Sequence, residues 1–161
     1  MTTPPAPRFS GNPASAVYGT ILAASQLAVQ SATTHSTLEI IASLAGSAFI
    51  FWLAHAYADT LGTTLASHSP RPPSFRHALR AEWPIIEAAV VPALILLAFV
   101  AAGVEPSTAT VAALIAAGLE LIGWALLAAR RTGLTGLRRV GAAAVAAAFG
   151  IALIALKFLI H

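Results

Sequence analysis

RRTGLTGLRR, residues 130–139, sets four arginines around two glycines and lies between two long apolar runs. Short loops rich in Lys and Arg stay on the cytoplasmic side when a chain is inserted into a membrane, so such a stretch both divides two spans and gives their direction. Working outward, a second stretch, RPPSFRHALR at 71–80, carries Arg71, Arg76 and Arg80, and Arg8 precedes the first apolar run. These positions hold eight of the nine Lys and Arg residues, and the gaps between them hold none. The alternation predicts an all-α, polytopic integral membrane bundle of five transmembrane helices, with its amino end cytoplasmic and its carboxyl end outside.

Composition agrees. The chain is 58% hydrophobic and 9% charged over 161 residues, whereas soluble domains are about a quarter charged. At about 20 residues per crossing, five or six spans fill the length and leave no second folded domain. The sequence pI of about 10.2 would point to nucleic acid in a soluble protein; here the excess is loop arginine that topology explains, so nucleic acid is not an expected partner. The absence of cysteine excludes disulfides, thiolate metal sites and cysteine nucleophiles.

Residues 1–13 hold four prolines and one charge and read as a disordered tail, followed by a single transmembrane domain at 14–161. The spans fall at about 14–32, 38–61, 84–103, 107–129 and 140–160. The first is the least apolar, with Tyr18, Ser25, Gln26 and Gln30, and a helix of that kind requires protein neighbours rather than lipid. Arg8, the apolar residues 16–29 and the small residues Ser31 and Ala32 also fit a cleavable signal peptide, whose loss would leave four spans in the same orientation. Ala142, Ala146 and Gly150 form a small-residue row on the last span, as do Ala42 and Gly46 on the second; such rows let helix backbones approach closely. Lys157 stands where its stem can snorkel to the outer surface.

Between the second and third spans, Ser74 can cap a helix over 74–83. Phe75, Leu79 and Trp83 recur on one side, with Arg76 and Arg80 on another. This predicts a short helix in the inner interface. Arg71, Arg76 and Arg80 would contact anionic lipid headgroups, each contributing about 1 kcal/mol, as a basic topological anchor or as a dedicated lipid or protein docking site.

His55 and Asp59 are four apart and share a helical face with Trp52. Glu87 lies at a similar depth on the third span, and Glu120 is nearer the midplane on the fourth. A charged carboxylate at the bilayer centre costs about 2.5–3.5 kcal/mol on insertion scales, so Glu120 requires a partner, a proton or a cation. One histidine and three carboxylates suit a divalent metal such as Fe, Mn or Zn, with His55, Asp59, Glu87 and Glu120 as ligands. They equally suit a proton relay, or a polar network that fixes helix packing. Companions expected for Glu120 are Gln26, Tyr18 or His55. No Ser/His/Asp set at one depth, phosphate-cradling glycine loop or HExxH motif is present, so an enzyme is not expected.

Three passages carry a family resemblance: AVYGT at 16–20, SAFIFWLAHAYADTLG at 47–62, and GWALLAARRTGLTGLRRVGAAAVAAAFGIALIAL at 123–156. With five spans, the chain resembles the vacuolar iron transporter family over nearly its whole length. It departs where that family has an acidic residue after its first glycine, since Thr20, Ile21 and Leu22 follow Gly19 here. Trp52 and Ala56 replace the methionine and glutamate before Tyr57, and the interval from Gly62 to Glu82 is too short for the family's cytoplasmic metal-binding helices. The resemblance therefore implies a reduced relative without those metal ligands, and it implies a homodimer. The reading favours a small membrane protein, in the inner or plasma membrane, that moves or senses a divalent metal ion or proton. The alternative is a non-transporting scaffold or regulatory module for a partner protein.

Overall fold

The computed structural model describes residues 13–33, 36–67 and 74–160. Every element among them is a helix: α1 (Pro13–Thr33), α2 (Thr37–Ser67), α3 (Phe75–Ala81), α4 (Pro84–Ala101), α5 (Pro106–Arg131) and α6 (Gly136–Ile160). Residues 1–12 of the expected tail, Arg8 included, and Arg71 lie outside the described residues, while Pro13 opens α1.

Four stretches are long and apolar enough to cross a membrane: Thr37–Leu65, Phe75–Ala101, Pro106–Arg131 and Gly136–Leu159. Only 11% to 33% of their most apolar windows is buried inside the protein, so their outer faces require hydrocarbon rather than water as solvent. The chain is an integral membrane helical bundle.

The expected first span, α1, is not among the four. Its 21 residues have the length, at about 1.5 Å per residue, but its serines and glutamines dilute its hydropathy. It packs instead against α2, α4, α5 and α6, with Ala16, Thr20, Ala23, Ala24, Leu27 and Ala28 buried. These positions recur every three or four residues and form one stripe. Against it lie Ile40 and Leu44 of α2, Ala89 and Leu96 of α4, and Ala109, Ala113 and Ala117 of α5. The alanines permit the close approach that lipid cannot drive. At Gly19 it is closest: a Cβ there would sit 2.8 Å from both Cα and O of Ile85 on α4.

Paired contacts give the directions. Gln30 meets Ser43 and Tyr18 meets His55, so α1 and α2 are antiparallel. Trp52 meets Trp83 while Leu44 and Ala89 share the core, so α2 and α4 are antiparallel too. Gly118 meets Gly150 and Ser107 meets Lys157, which reverses α6 on α5. One end of the bundle therefore collects α3, Arg76, Arg80, Arg130, Arg131, Arg138 and Arg139, and the opposite end holds Glu39, Glu105 and Lys157.

Tight turns make this up-and-down path. After α4, Gly103 at φ 82° lets the amide of Val104 bond to Phe99 O and its own to Val100 O; after α5, Gly133 at φ 72° does the same with Leu134, Ala129 and Arg130. Both are Schellman closures, in which a left-handed residue returns the chain to the last free carbonyls.

Several boundaries and contacts differ from expectation. α2 continues past 61 to Ser67, and in this stretch the hydroxyls of Thr60, Thr63 and Thr64 bond back to carbonyls one turn earlier. α6 starts at Gly136, not 140. The short helix ends at Ala81, and Ser74 stands at its start without a side-chain cap. Of the small-residue rows, Gly150 abuts Gly118, whereas a Cβ at Gly46 would meet nothing within 4 Å. Lys157 reaches to the expected outer end of α5, but to a backbone carbonyl rather than to solvent. It is 4% exposed and donates from Nζ to Ser107 O at 3.1 Å.

Candidate functional site

The four ionisable residues read from the sequence lie on three helices, His55 and Asp59 on α2, Glu87 on α4 and Glu120 on α5, in different surroundings. Asp59 and Glu87 are exposed on α2 and α4. His55 packs its ring on Tyr18 at 4.4 Å between centroids and places Nδ1 3.2 Å from Phe51 O; a carbonyl only accepts, so in that bond Nδ1 is the donor. Glu120 is held by its own helix, with Trp124 Nε1 donating to Oε1 at 3.2 Å. The expected companions Gln26, Tyr18 and His55 are not its hydrogen-bond partners, because Trp124, one turn on, lies on the same face. Its Oε2 is buried without a hydrogen-bond partner among the described residues. No group of three or more His, Asp or Glu side chains able to hold a metal ion occurs among the described residues.

Between α1, α2 and α4, where an ion path along the polar face of α1 would run, the interior closes to about 10 Å³ beside Gly19, Gln26, Ser47 and Ile85. That admits about one water. Of the polar side chains along α1, Gln30 Nε2 donates to Ser43 Oγ on α2 at 2.8 Å, while Thr20 and Ser25 donate within α1, to Ala16 O and Ile21 O.

Open space lies on the flank instead. A groove of about 370 Å³ runs between α2 and α4, walled by Ile41, Ala45, Phe49, Ile86 and Val90 among other apolar side chains, and ends at Trp52 and Trp83. Those two indoles meet edge to face, 5.5 Å apart. Beyond them opens a second recess of about 490 Å³, formed by the same tryptophans with Arg76, Leu79 and Arg80. Trp52 Nε1 donates to Leu79 O at 2.8 Å, which fixes α3 across the groove's mouth.

Sequence reasoning found Arg76, Arg80, Trp52 and Trp83 singly but not their meeting, which depends on α3 folding back over α2. It passed over Glu82 entirely. That acid, in a loop where charge is expected, is 7% exposed at the elbow between α3 and α4, with Oε2 buried and without a partner among the described residues. Its neighbours in sequence, Trp83 and Pro84, gave the one available signal, a loop too apolar to be fully solvated.

No family model matches the chain, and neither the curated proteins nor the solved structures compared with it yield a match.

Proposed function

We propose that this is a non-enzymatic integral membrane module that crosses the bilayer five times, with its arginine end in the cytoplasm, and whose intramembrane polar groups hold helices together rather than conduct ions. The observation that carries the reading is the closed centre: about 10 Å³ of free volume beside α1, with Gln30 of α1 bonded across to Ser43 of α2 and Thr20 and Ser25 bonded within α1. The caged position of α1 supports counting it as a retained fifth crossing. The module's working surface is then the α2–α3–α4 flank, in the inner or plasma membrane, where a partner or lipid can dock. In proteoliposomes loaded with a pH dye or a divalent-sensitive dye, the protein should give no proton, Fe²⁺, Mn²⁺ or Zn²⁺ flux above empty vesicles. Flux above that baseline would overturn the reading.

The buried, unbonded Oε2 of Glu120 favours a second reading, cation movement, in which that oxygen takes a proton or contacts a divalent ion and His55, Asp59 and Glu87 serve the pathway. The resemblance to vacuolar iron transporters belongs with this reading, as does a homodimer. It requires flux that disappears in Glu120→Gln while the variant still folds.

A further inference from the structure

We infer that the α2–α4 groove is a binding site for one anionic glycerophospholipid of the arginine-side leaflet, with an acyl chain between the helices and the phosphate at Arg76 and Arg80. The inference rests on membrane placement alone and holds whether or not the protein moves ions.

Three features of the site agree on this occupant. The first is chemistry along the axis. The wall from Ile41 and Ala93 down to Phe49 and Ile86 is apolar, then come the two indoles, then the two guanidinium groups. Hydrocarbon, amphipathic ring and cation in that order reproduce the layering of a lipid leaflet from tail to headgroup. A soluble phosphate would leave the apolar part unfilled, and a neutral amphiphile would leave the arginines unmatched.

The second is length. From Ile41 to Trp52 on α2, and from Ala93 to Trp83 on α4, the helices rise roughly 15–17 Å at 1.5 Å per residue. That is about half of the ~30 Å hydrocarbon thickness, so the groove is one leaflet deep. It opens sideways to lipid and ends near mid-bilayer.

The third is electrostatic. Arg76 and Arg80 are exposed and one turn apart on α3, so both can reach one headgroup, and no ion pair to either occurs among the described residues. Phosphate accepts bidentate hydrogen bonds from guanidinium, which makes arginine suited to this role. The bond from Trp52 to Leu79 O holds α3 in position before a lipid arrives, so little ordering is left to binding.

Quenching by brominated lipid tests the site, because Trp52 and Trp83 form its walls. The full chain is placed in phosphatidylcholine nanodiscs that contain a minor fraction of brominated phosphatidylglycerol, and compared with discs in which the same fraction of brominated phosphatidylcholine sits beside unlabelled phosphatidylglycerol. Quenching by brominated phosphatidylglycerol should exceed random mixing, with each arginine contributing about fivefold in relative affinity. The preference should drop in Arg76→Gln and vanish in the double variant with Arg80→Gln. Ala45→Phe, which fills the groove and leaves both arginines, should abolish it as well.

Equal quenching by the two brominated lipids would overturn the proposal. So would a phosphatidylglycerol preference that survives Ala45→Phe, which would reduce the arginines to a surface attraction. Loss of the preference on adding inorganic phosphate at constant ionic strength would assign the arginines to a soluble anion. Disulfide capture between copies at Ala45→Cys, in place of quenching, would assign the groove to a second copy of the chain. Thermal unfolding of each variant in detergent, unchanged from the parent, separates loss of binding from loss of fold.

Discussion

At Gly19 a single hydrogen in place of a methyl group lets α1 lie on the backbone of α4. The atoms that an added Cβ would strike are Ile85 Cα and O, which cannot rotate away as a side chain would. We expect Gly19→Ala to destabilise the bundle by about 1–3 kcal/mol through overpacking. Gly46→Ala meets open space and should be neutral or slightly stabilising, since alanine is the better helix former by up to about 1 kcal/mol. Thermal unfolding of the two variants in detergent compares them directly. A second test lies outside the membrane, at Glu105. The Ser107 hydroxyl, with the amides of Ser107 and Thr108, holds its carboxyl below the ordinary value of 4.5. A folded value below the unfolded one means that the contribution to stability is present above about pH 4.5 and is lost as pH falls through the folded value. Unfolding temperature should therefore drop more on acidification in the parent than in Glu105→Gln, by a small margin because the group is exposed. Glu105 was legible in the sequence only as an outer acid. Its Ser107 contact depends on the turn that Pro106 and Gly103 build, which no spacing rule gives.

Among the elements, α3 depends most on one bond. Trp52→Phe keeps an aromatic ring beside Trp83 but loses the donor to Leu79 O, worth about 0.5–1.5 kcal/mol net. Amide exchange over 75–81 should quicken while exchange in α4 and α5 stays as in the parent; equal protection in both proteins would mean that α3 is held by burial of Ala78 alone. The elements were legible to different degrees for physical reasons. Long apolar runs bounded by glycine, proline and arginine gave α4 and α5 nearly to their ends, because apolar length is itself what the bilayer demands. The end of α2 was misplaced because its apolar run stops near 61 while the helix runs on to Ser67 through polar residues, which hydropathy does not register. The companion of Glu120 was misplaced because the indole of Trp124, four residues on along the same helix, meets it with no second helix needed. Of the expected site, the arginines and tryptophans were visible one by one, and the groove they enclose was not, since it arises from the gap between α2 and α4.

For the whole molecule, the gathering of Arg76, Arg80, Arg130, Arg131, Arg138 and Arg139 at one end predicts which side each connection occupies. Cysteine introduced at the exposed Thr135 should label with an impermeant reagent only from the cytoplasm, and cysteine at the exposed Ser107 only from outside; the reverse pattern would invert the bundle. The caging of α1 also bears on how the protein is made. The ribosome delivers α1 before any of α4, α5 and α6, which later enclose it, and with its serines and glutamines it is the helix that hydrocarbon alone retains least well. If α1 is the fifth crossing proposed above, its lodging in the bilayer is completed backwards, by chain synthesised after it. Nascent chains halted before α5 should release their leading segment to alkaline extraction or proteolysis, and those that reach α6 should protect it. In such a protein, quality control can read the exposure of the first helix as a measure of whether the last ones have arrived.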